Sequence, residues 1–571
     1  MFLRAQLDKA RALLWPIKAK FGLGLSWGDL FILAGNTAVE SMGGPTLGFC
    51  GGRVDAEDGS ESLPLGPSAQ QEEGFPCAVN GTCKSPLGST TVGLIYVNPE
   101  GPMGQPIPEK SALAVRDTFA RMNMNDTETV ALIGGGHAFG KAHGACTAGA
   151  GPSPREDPLN PWPGKCGTGK GVDAFTAGFE GPWTTTPTQW DNSYFRNLVE
   201  HEWVAKKGPG GHFQWHVNGS SPLAPGPAGG QQPIMMLTSD ISLTKDPKYL
   251  EIVKHFASNP SAFDDAWKHA WYKLTTRDMG PVTRCIGTDV PPAQDWQNPL
   301  PPPPAEPANY SQVSVAVRRS IGDKTLLAGD LVRLAFQCAG TYRETDYVGG
   351  CNGARVRFLP ESEWPSNIGL GATLNALTPI KNKWGSALPW SDLIVLAATT
   401  AIHVAGGPEI KFCGGRSDAT SGSGSQLLNA TLLGEMIDSV PLVKERIALL
   451  GLSAREYVAL AGRSTLGNNC CGVQGAPTGN PDVFDNSFFV NLVGNNWDRK
   501  LSPNGVTEWK ARNEEIFAVP SDVTILFDPE LLAIAQDFAA DEDLFRETFV
   551  GAWVKIMNAD LYTGPTSRRC E

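Results

Sequence analysis

Histidine is nearly missing from the second half of this chain. Seven of its eight imidazoles lie at positions 137, 143, 201, 212, 216, 255 and 269, and only His403 lies beyond them. Imidazole chemistry therefore belongs to the first half. The 571 residues contain no uninterrupted apolar run of about 18, the length a membrane-spanning helix requires. A membrane partner is thereby excluded at the level of a helical span. The first twenty residues have no apolar h-region and place Lys9, Arg11, Lys18 and Lys20 at helical spacing, so they read as a helix inside a domain rather than a signal peptide. Nor is there a basic excess. A net charge of -12 opposes binding to a phosphate backbone, which needs clustered Lys and Arg, so nucleic acid is not an expected partner.

What is present, and in quantity, is repetition. Residues 16–56 align without a gap to residues 379–419, and 23 of the 41 positions are identical. Phe49-Cys50-Gly51-Gly52-Arg53 returns as Phe412-Cys413-Gly414-Gly415-Arg416, Trp190-Asp191-Asn192-Ser193 as Phe484-Asp485-Asn486-Ser487, Ser239-Asp240 as Ser521-Asp522, and Ala270-Trp271 as Ala552-Trp553. A period of several hundred residues means two whole domains of common origin, each able to bury its own core. The proline-dense stretch 289–310 reads as the linker, which gives domains at 1–288 and 311–571. The copies differ at their beginnings. About sixty residues precede Leu370 in the second, and six precede Leu7 in the first, so the first domain is expected to be incomplete at its N-terminus.

Apolar positions three and four apart predict helices over 27–42, 110–122, 126–133, 249–257, 262–274, 327–339 and 529–540. Strand-like alternation is scarce, and the 65 Gly and 45 Pro fall mainly between these segments. The predicted fold class is all-α, in two tandem helical domains. Twelve cysteines include two candidate disulfides, Cys77 with Cys83 and Cys146 with Cys166; connectivity and compartment stay open, with cytoplasm favoured over secretion.

His137 stands out among the histidines because it follows Gly134-Gly135-Gly136 and precedes Phe139-Gly140-Lys141. Three glycines would let a large group approach the backbone beside that imidazole. On its own, His137 also reads as an ordinary histidine at a helix C-terminus. The run Gly135-Gly136-His137-Ala138-Phe139-Gly140-Lys141 resembles the proximal haem-ligand motif of the catalase-peroxidases, two-domain members of the class I haem peroxidases. Residues 93–102, 121–126, 183–192 and 277–281 carry the same resemblance, and it extends over nearly the whole chain.

The resemblance implies two haem-peroxidase-like helical domains and one haem b per chain, held in the first. It implies that His137 ligates iron, with Gly135, Gly136, Phe139 and Lys141 as its cofactor-binding surroundings, and that Asp240 orients the imidazole beside Trp183. Tyr96 and Met122 match two members of a covalent Trp-Tyr-Met cross-link, and Arg277 matches a mobile arginine that swings toward the phenolate. A nearby cation lowers the pKa of a phenol. The implied partners are hydrogen peroxide and small organic electron donors, and the implied assembly is a homodimer.

The chain also departs from the family's pattern. Opening the O–O bond of peroxide calls for a general base and a cation, supplied in the family by an Arg-x-x-Trp-His element. The first half has none, and the second reads Arg333-Leu334-Ala335-Phe336-Gln337, with Arg463 or Ser464 at the proximal histidine position. The second domain is thus expected to hold no haem. Two function classes follow: a catalase-peroxidase, or an impaired, haem-binding or purely structural relative. Two decoys are set aside. Residues 164–171 mimic a P-loop but end in Gly171 where Ser or Thr would hold magnesium, and His137 and His143, six apart, do not share a helix face as a zinc pair would.

Overall fold

The computed structural model describes residues 7–60, 97–153, 155–157, 159–160, 162–227, 229–426, 428, 430 and 434–570. Two compact units emerge, Met1–Thr276 with Gly287–Pro291, and Arg277–Ile286 with Pro292–Glu571. The linker is thus shared out. Asp289 accepts the Phe49 amide at 2.9 Å in the first unit, while Ala308 donates to the Ala387 carbonyl at 2.8 Å in the second. The segment Arg277–Ile286 groups with the second unit, although it lies before the boundary drawn at 288 from the sequence.

Both units are mainly helical. The first contains Leu7–Phe21, Trp27–Ser41, Pro108–Arg121, Asp126–Ala138, Pro247–Ser258 and Pro260–Thr276; the second has helices including Ala328–Ala339, Trp390–Val404, Pro529–Ala540 and Glu542–Asn558. Each encloses an apolar core rich in rings. Phe119, Phe195, Phe256, Phe263 and Trp267 fill the first, and Phe489, Phe538, Phe545, Phe549 and Trp553 the second. At about 25 cal/mol per Å2 of buried apolar surface, such rings dominate the stability of each unit.

Equivalent residues make equivalent hydrogen bonds, so the duplication persists at the atomic level. Asp55 caps the helix at Trp27 through its backbone amide at 2.8 Å, and Asp418 caps Trp390 at 2.8 Å. Asp29 accepts from the Gly52 amide and from Arg53, as Asp392 does from Gly415 and Arg416. Asn192 donates to the carbonyls of Phe256 and Ala257, and Asn486 to those of Phe538 and Ala539. These amides tie a loop to the last turn of a helix, where carbonyls run out of intrahelical donors.

Sequence periodicity missed one element. Each unit carries a small antiparallel sheet, Trp203–Lys207 with Phe213–Val217 and Met235–Met236, and Trp497–Leu501 with Thr507–Ala511 and Phe517–Ala518. No described strand exceeds five residues, and their burial does not alternate strictly, with Trp203–Lys207 half-buried at its first two positions and exposed at the rest. No described helix is long and apolar enough to cross a membrane. Cys146–Cys166 is a disulfide, as are Cys338–Cys351, Cys413–Cys570 and the adjacent pair Cys470–Cys471. Cys77 and Cys83 lie outside the described residues.

Candidate functional site

The helix Asp126–Ala138 starts at a capping box, in which Asn125 accepts from the Glu128 amide and Glu128 from the Asn125 amide. It does not stop at Ile133, where the glycines suggested an end, but continues through them to Ala138. Packing explains this. A Cβ on Gly134 would lie 2.0 Å from the Phe195 ring, and one on Gly135 2.0 Å from the Trp267 ring. Two of the three glycines therefore admit the protein's own aromatic rings. Gly136 alone faces open space.

His137 sits at the last turn of this helix. Its Nδ1 meets Asp240 Oδ1 at 2.8 Å, its ring stacks on Trp183 at 3.9 Å with an interplanar angle of 6°, and the side chain is 24% exposed. The other ring nitrogen takes no hydrogen bond among the described residues. Asp240 is fully buried and follows strand Met235–Met236 on the short helix Thr238–Ser242. Its four acceptor positions are all filled. Oδ1 accepts from His137 and from the Tyr194 hydroxyl at 2.7 Å, and Oδ2 accepts from Trp183 Nε1 at 2.9 Å and the Leu237 amide at 2.7 Å.

Burial alone would push the Asp240 carboxyl up, but the facing imidazole, the Leu237 amide and the Tyr194 hydroxyl hold it below the ordinary range. Burial and that carboxylate together push the Tyr194 phenol well up. The group at the centre is therefore an anion and its tyrosine partner a donor. Such a carboxylate fixes the neighbouring imidazole with its proton at Nδ1 and its lone pair at Nε2, the arrangement of a metal-ligating histidine oriented from behind.

Sequence reasoning did not single out Tyr194. A signal was there: among the duplicated Asp-Asn-Ser residues and their neighbours, Tyr194 becomes Phe488 in the copy that has lost its histidine.

The remaining predicted residues are dispersed. Phe139 packs near Trp190, and Lys141 pairs with Glu180 and Gln232, so neither converges on His137 Nε2 by any contact observed. Met122 is half-buried against the first unit's core. Arg277 is exposed and lies in the second unit. Tyr96 lies outside the described residues. Among the described residues no cluster of three His, Cys, Asp or Glu could hold a metal ion.

The second unit shows the same framework with different chemistry. Thr184 donates to the Ala138 carbonyl, and Thr478 to that of Thr465, which puts Ser464 at the place of His137 and resolves the one-residue ambiguity. Ser464 hydrogen-bonds Asp522, the copy of Asp240, whose other oxygen has no partner. Trp183 becomes Pro477. Arg463 lies 3.6 Å over the Phe336 ring and pairs with Glu435 at 2.8 Å, while Gln337 donates to the same Glu435.

A model of the peroxidase family matches residues 4–259 and 313–541. Catalase-peroxidase 2 of Legionella pneumophila is 39% identical over 604 residues, covering 98% of this chain and 80% of the relative. This chain belongs to the catalase-peroxidases. The catalase-peroxidase of Geobacillus thermodenitrificans is 40% identical over 98% of the chain and 80% of its own length, and that of Escherichia coli 38% over 97% and 81%. As a catalase-peroxidase the chain is an oxidoreductase. The family match falls on both copies, in accord with a duplicated helical fold.

Proposed function

We propose that this chain is a haem-dependent catalase-peroxidase that turns over hydrogen peroxide and oxidises small organic donors, with one haem b held by the first unit through His137. One observation carries the reading: an imidazole oriented by a buried, four-fold-bonded carboxylate, with its second nitrogen free and Gly136 open beside it. Those residues fit a haem. His137 would hold such a group through its second ring nitrogen, and Gly136 would leave room for it beside the helix.

When bound, the haem supplies the iron at which the O–O bond of peroxide is opened. The chain's own residues supply the rest on this side. His137 presents the Nε2 lone pair, Asp240 holds the proton at Nδ1 and makes the ring a stronger donor, and Trp183 and Tyr194 keep that carboxylate ionised away from water. In the second unit Arg463 stands at the place of Gly136 and Ser464 at that of His137, so no imidazole is offered there, which supports a single haem per chain. We further propose Tyr96, Met122 and Arg277 as the parts of this chain that tune catalase against peroxidase turnover, residues 1–288 and 311–571 as the two domains, and a homodimer as the assembly.

Hemin titration tests the reading. A Soret band should saturate at one equivalent and vanish in His137→Ala, while Asp240→Asn should retain haem and raise its Fe(III)/Fe(II) potential. Absence of any Soret shift in the wild type would leave only the structural reading. Oxygen release from peroxide by the reconstituted chain tests turnover itself.

A further inference from the structure

The second unit contains a cavity of about 50 Å3 that the peroxidase chemistry does not use. It lies beside the exposed Asn468 and is walled by Arg333, Gln337, Glu435, Arg463 and the disulfide-bonded Cys470. Its positive charge is not locally matched. Glu435 pairs with Arg463 at 2.8 Å and lies 3.7 Å from Arg446, so one carboxylate serves two guanidiniums.

Among the described residues Arg333 has no carboxylate within hydrogen-bonding reach. Its Nη2 donates to the carbonyls of Ser366 at 3.1 Å and Ile368 at 2.6 Å, and its buried Nε has no partner. Asp330 and Glu435 act on it only through space. Deeper in, Arg446 is 1% exposed, and both its Nε and Nη2 lack a hydrogen bond. The nearby carboxyl of Asp522 is pushed up to about 7 by burial, so near neutral pH it supplies only part of a negative charge. A guanidinium stays protonated in proteins, and a half-buried one whose nearest carboxylates act only through space is incompletely compensated. Arg333 therefore calls for an anion from outside the chain.

Size and shape narrow the choice. A single water needs roughly 10–15 Å3 of such space, so the cavity admits three or four heavy atoms. With Nη2 committed to two carbonyls, Arg333 keeps its Nε–H for an incoming oxygen, and a flat guanidinium suits a flat anion. We propose that the cavity of the second unit binds a small planar monoanion of the carboxylate class, held by Arg333 and faced by Arg463. The duplicated haem pocket has on this reading become a site for a small acid rather than a filled relic.

Thermal unfolding of the full chain at constant ionic strength tests this, with sodium formate and sodium nitrate as probes. In the wild type the midpoint of the second unit's transition should rise with the logarithm of formate concentration above its dissociation constant. In Arg333→Met it should not respond. No rise in the wild type, or an equal rise in both, overturns the proposal. Should Arg333→Met fail to fold, crystals of the wild-type chain soaked in bromide decide: an anomalous peak beside Arg333, displaced by formate, supports the site, and peaks confined to the protein surface overturn it.

Discussion

Replacing Asp240 by Asn tests the central geometry most severely, because the side chain keeps its shape and loses only acceptors. The carboxylate accepts from His137, Tyr194, Trp183 and the Leu237 amide, two donors on each oxygen. An amide can face two of them with its oxygen; the other two meet an NH2 group. A buried donor left without an acceptor costs about 1–3 kcal/mol, so two cost about 2–6 kcal/mol. Relief from burying a charge offsets part of this, and a net loss of about 2–4 kcal/mol is expected. That is a large share of the roughly 5–15 kcal/mol that holds a domain together.

The assay is urea unfolding of the chain followed by near-ultraviolet circular dichroism, which reports the stacked Trp183. A second arm uses pH. Asp240 has its carboxyl lowered in the folded state, so its contribution is fully present above the unfolded carboxylate pKa, near about 3.9, and is lost as pH falls through the lower folded value. Asp240→Asn should lack that acid-side loss. A variant within about 0.5 kcal/mol of the wild type, with an unchanged acid limb, would refute the four-donor account.

Three further outcomes follow from the packing and the charges. Gly135→Ala, whose Cβ would lie 2.0 Å from Trp267, should destabilise the first unit by about 1–3 kcal/mol, whereas Gly136→Ala, facing open space in the same helix, should stabilise the apoprotein by about 0.5–1 kcal/mol; denaturant midpoints read both. Burial raises Asp522 to about 7, so the folded state holds a proton that the unfolded chain has released; the second unit should lose stability as pH rises from about 4 to 7, and Asp522→Asn should abolish that slope in thermal scans at pH 5 and 8. Removing Cys146–Cys166 by a double Ser substitution frees a loop with a sequence separation of 20 and should cost about 3 kcal/mol in the same unfolding assay.

Much of this arrangement was legible in the residues. The ungapped repeat announced two copies, and Asp29, Arg53 and Asp55 reappear with their hydrogen bonds as Asp392, Arg416 and Asp418. The helices with regular apolar spacing stand where expected, with ends that differ by a few residues. His137, Asp240 and Trp183 come together from three separate stretches, a convergence that the family motif implied and periodicity could not. The misses share one cause. The helix expected to end at Ile133 runs on to Ala138 because the Phe195 and Trp267 rings pack directly against Gly134 and Gly135, where local propensity gives way to a tertiary contact. Tyr194 and the unmatched Arg333 escaped for the same reason: a side chain's value as donor or cation depends on what folding brings near it.

The Cys413–Cys570 bond joins residues 157 apart and fastens the segment at Cys570 to a loop inside the second unit. A protease that nicks any single loop between them leaves two pieces still covalently joined. Such a clipped molecule would migrate as one species on a non-reducing gel and separate only after a thiol is added. Loss of loop integrity and loss of subunit mass are thereby uncoupled, and a preparation judged whole by size alone could already be cut.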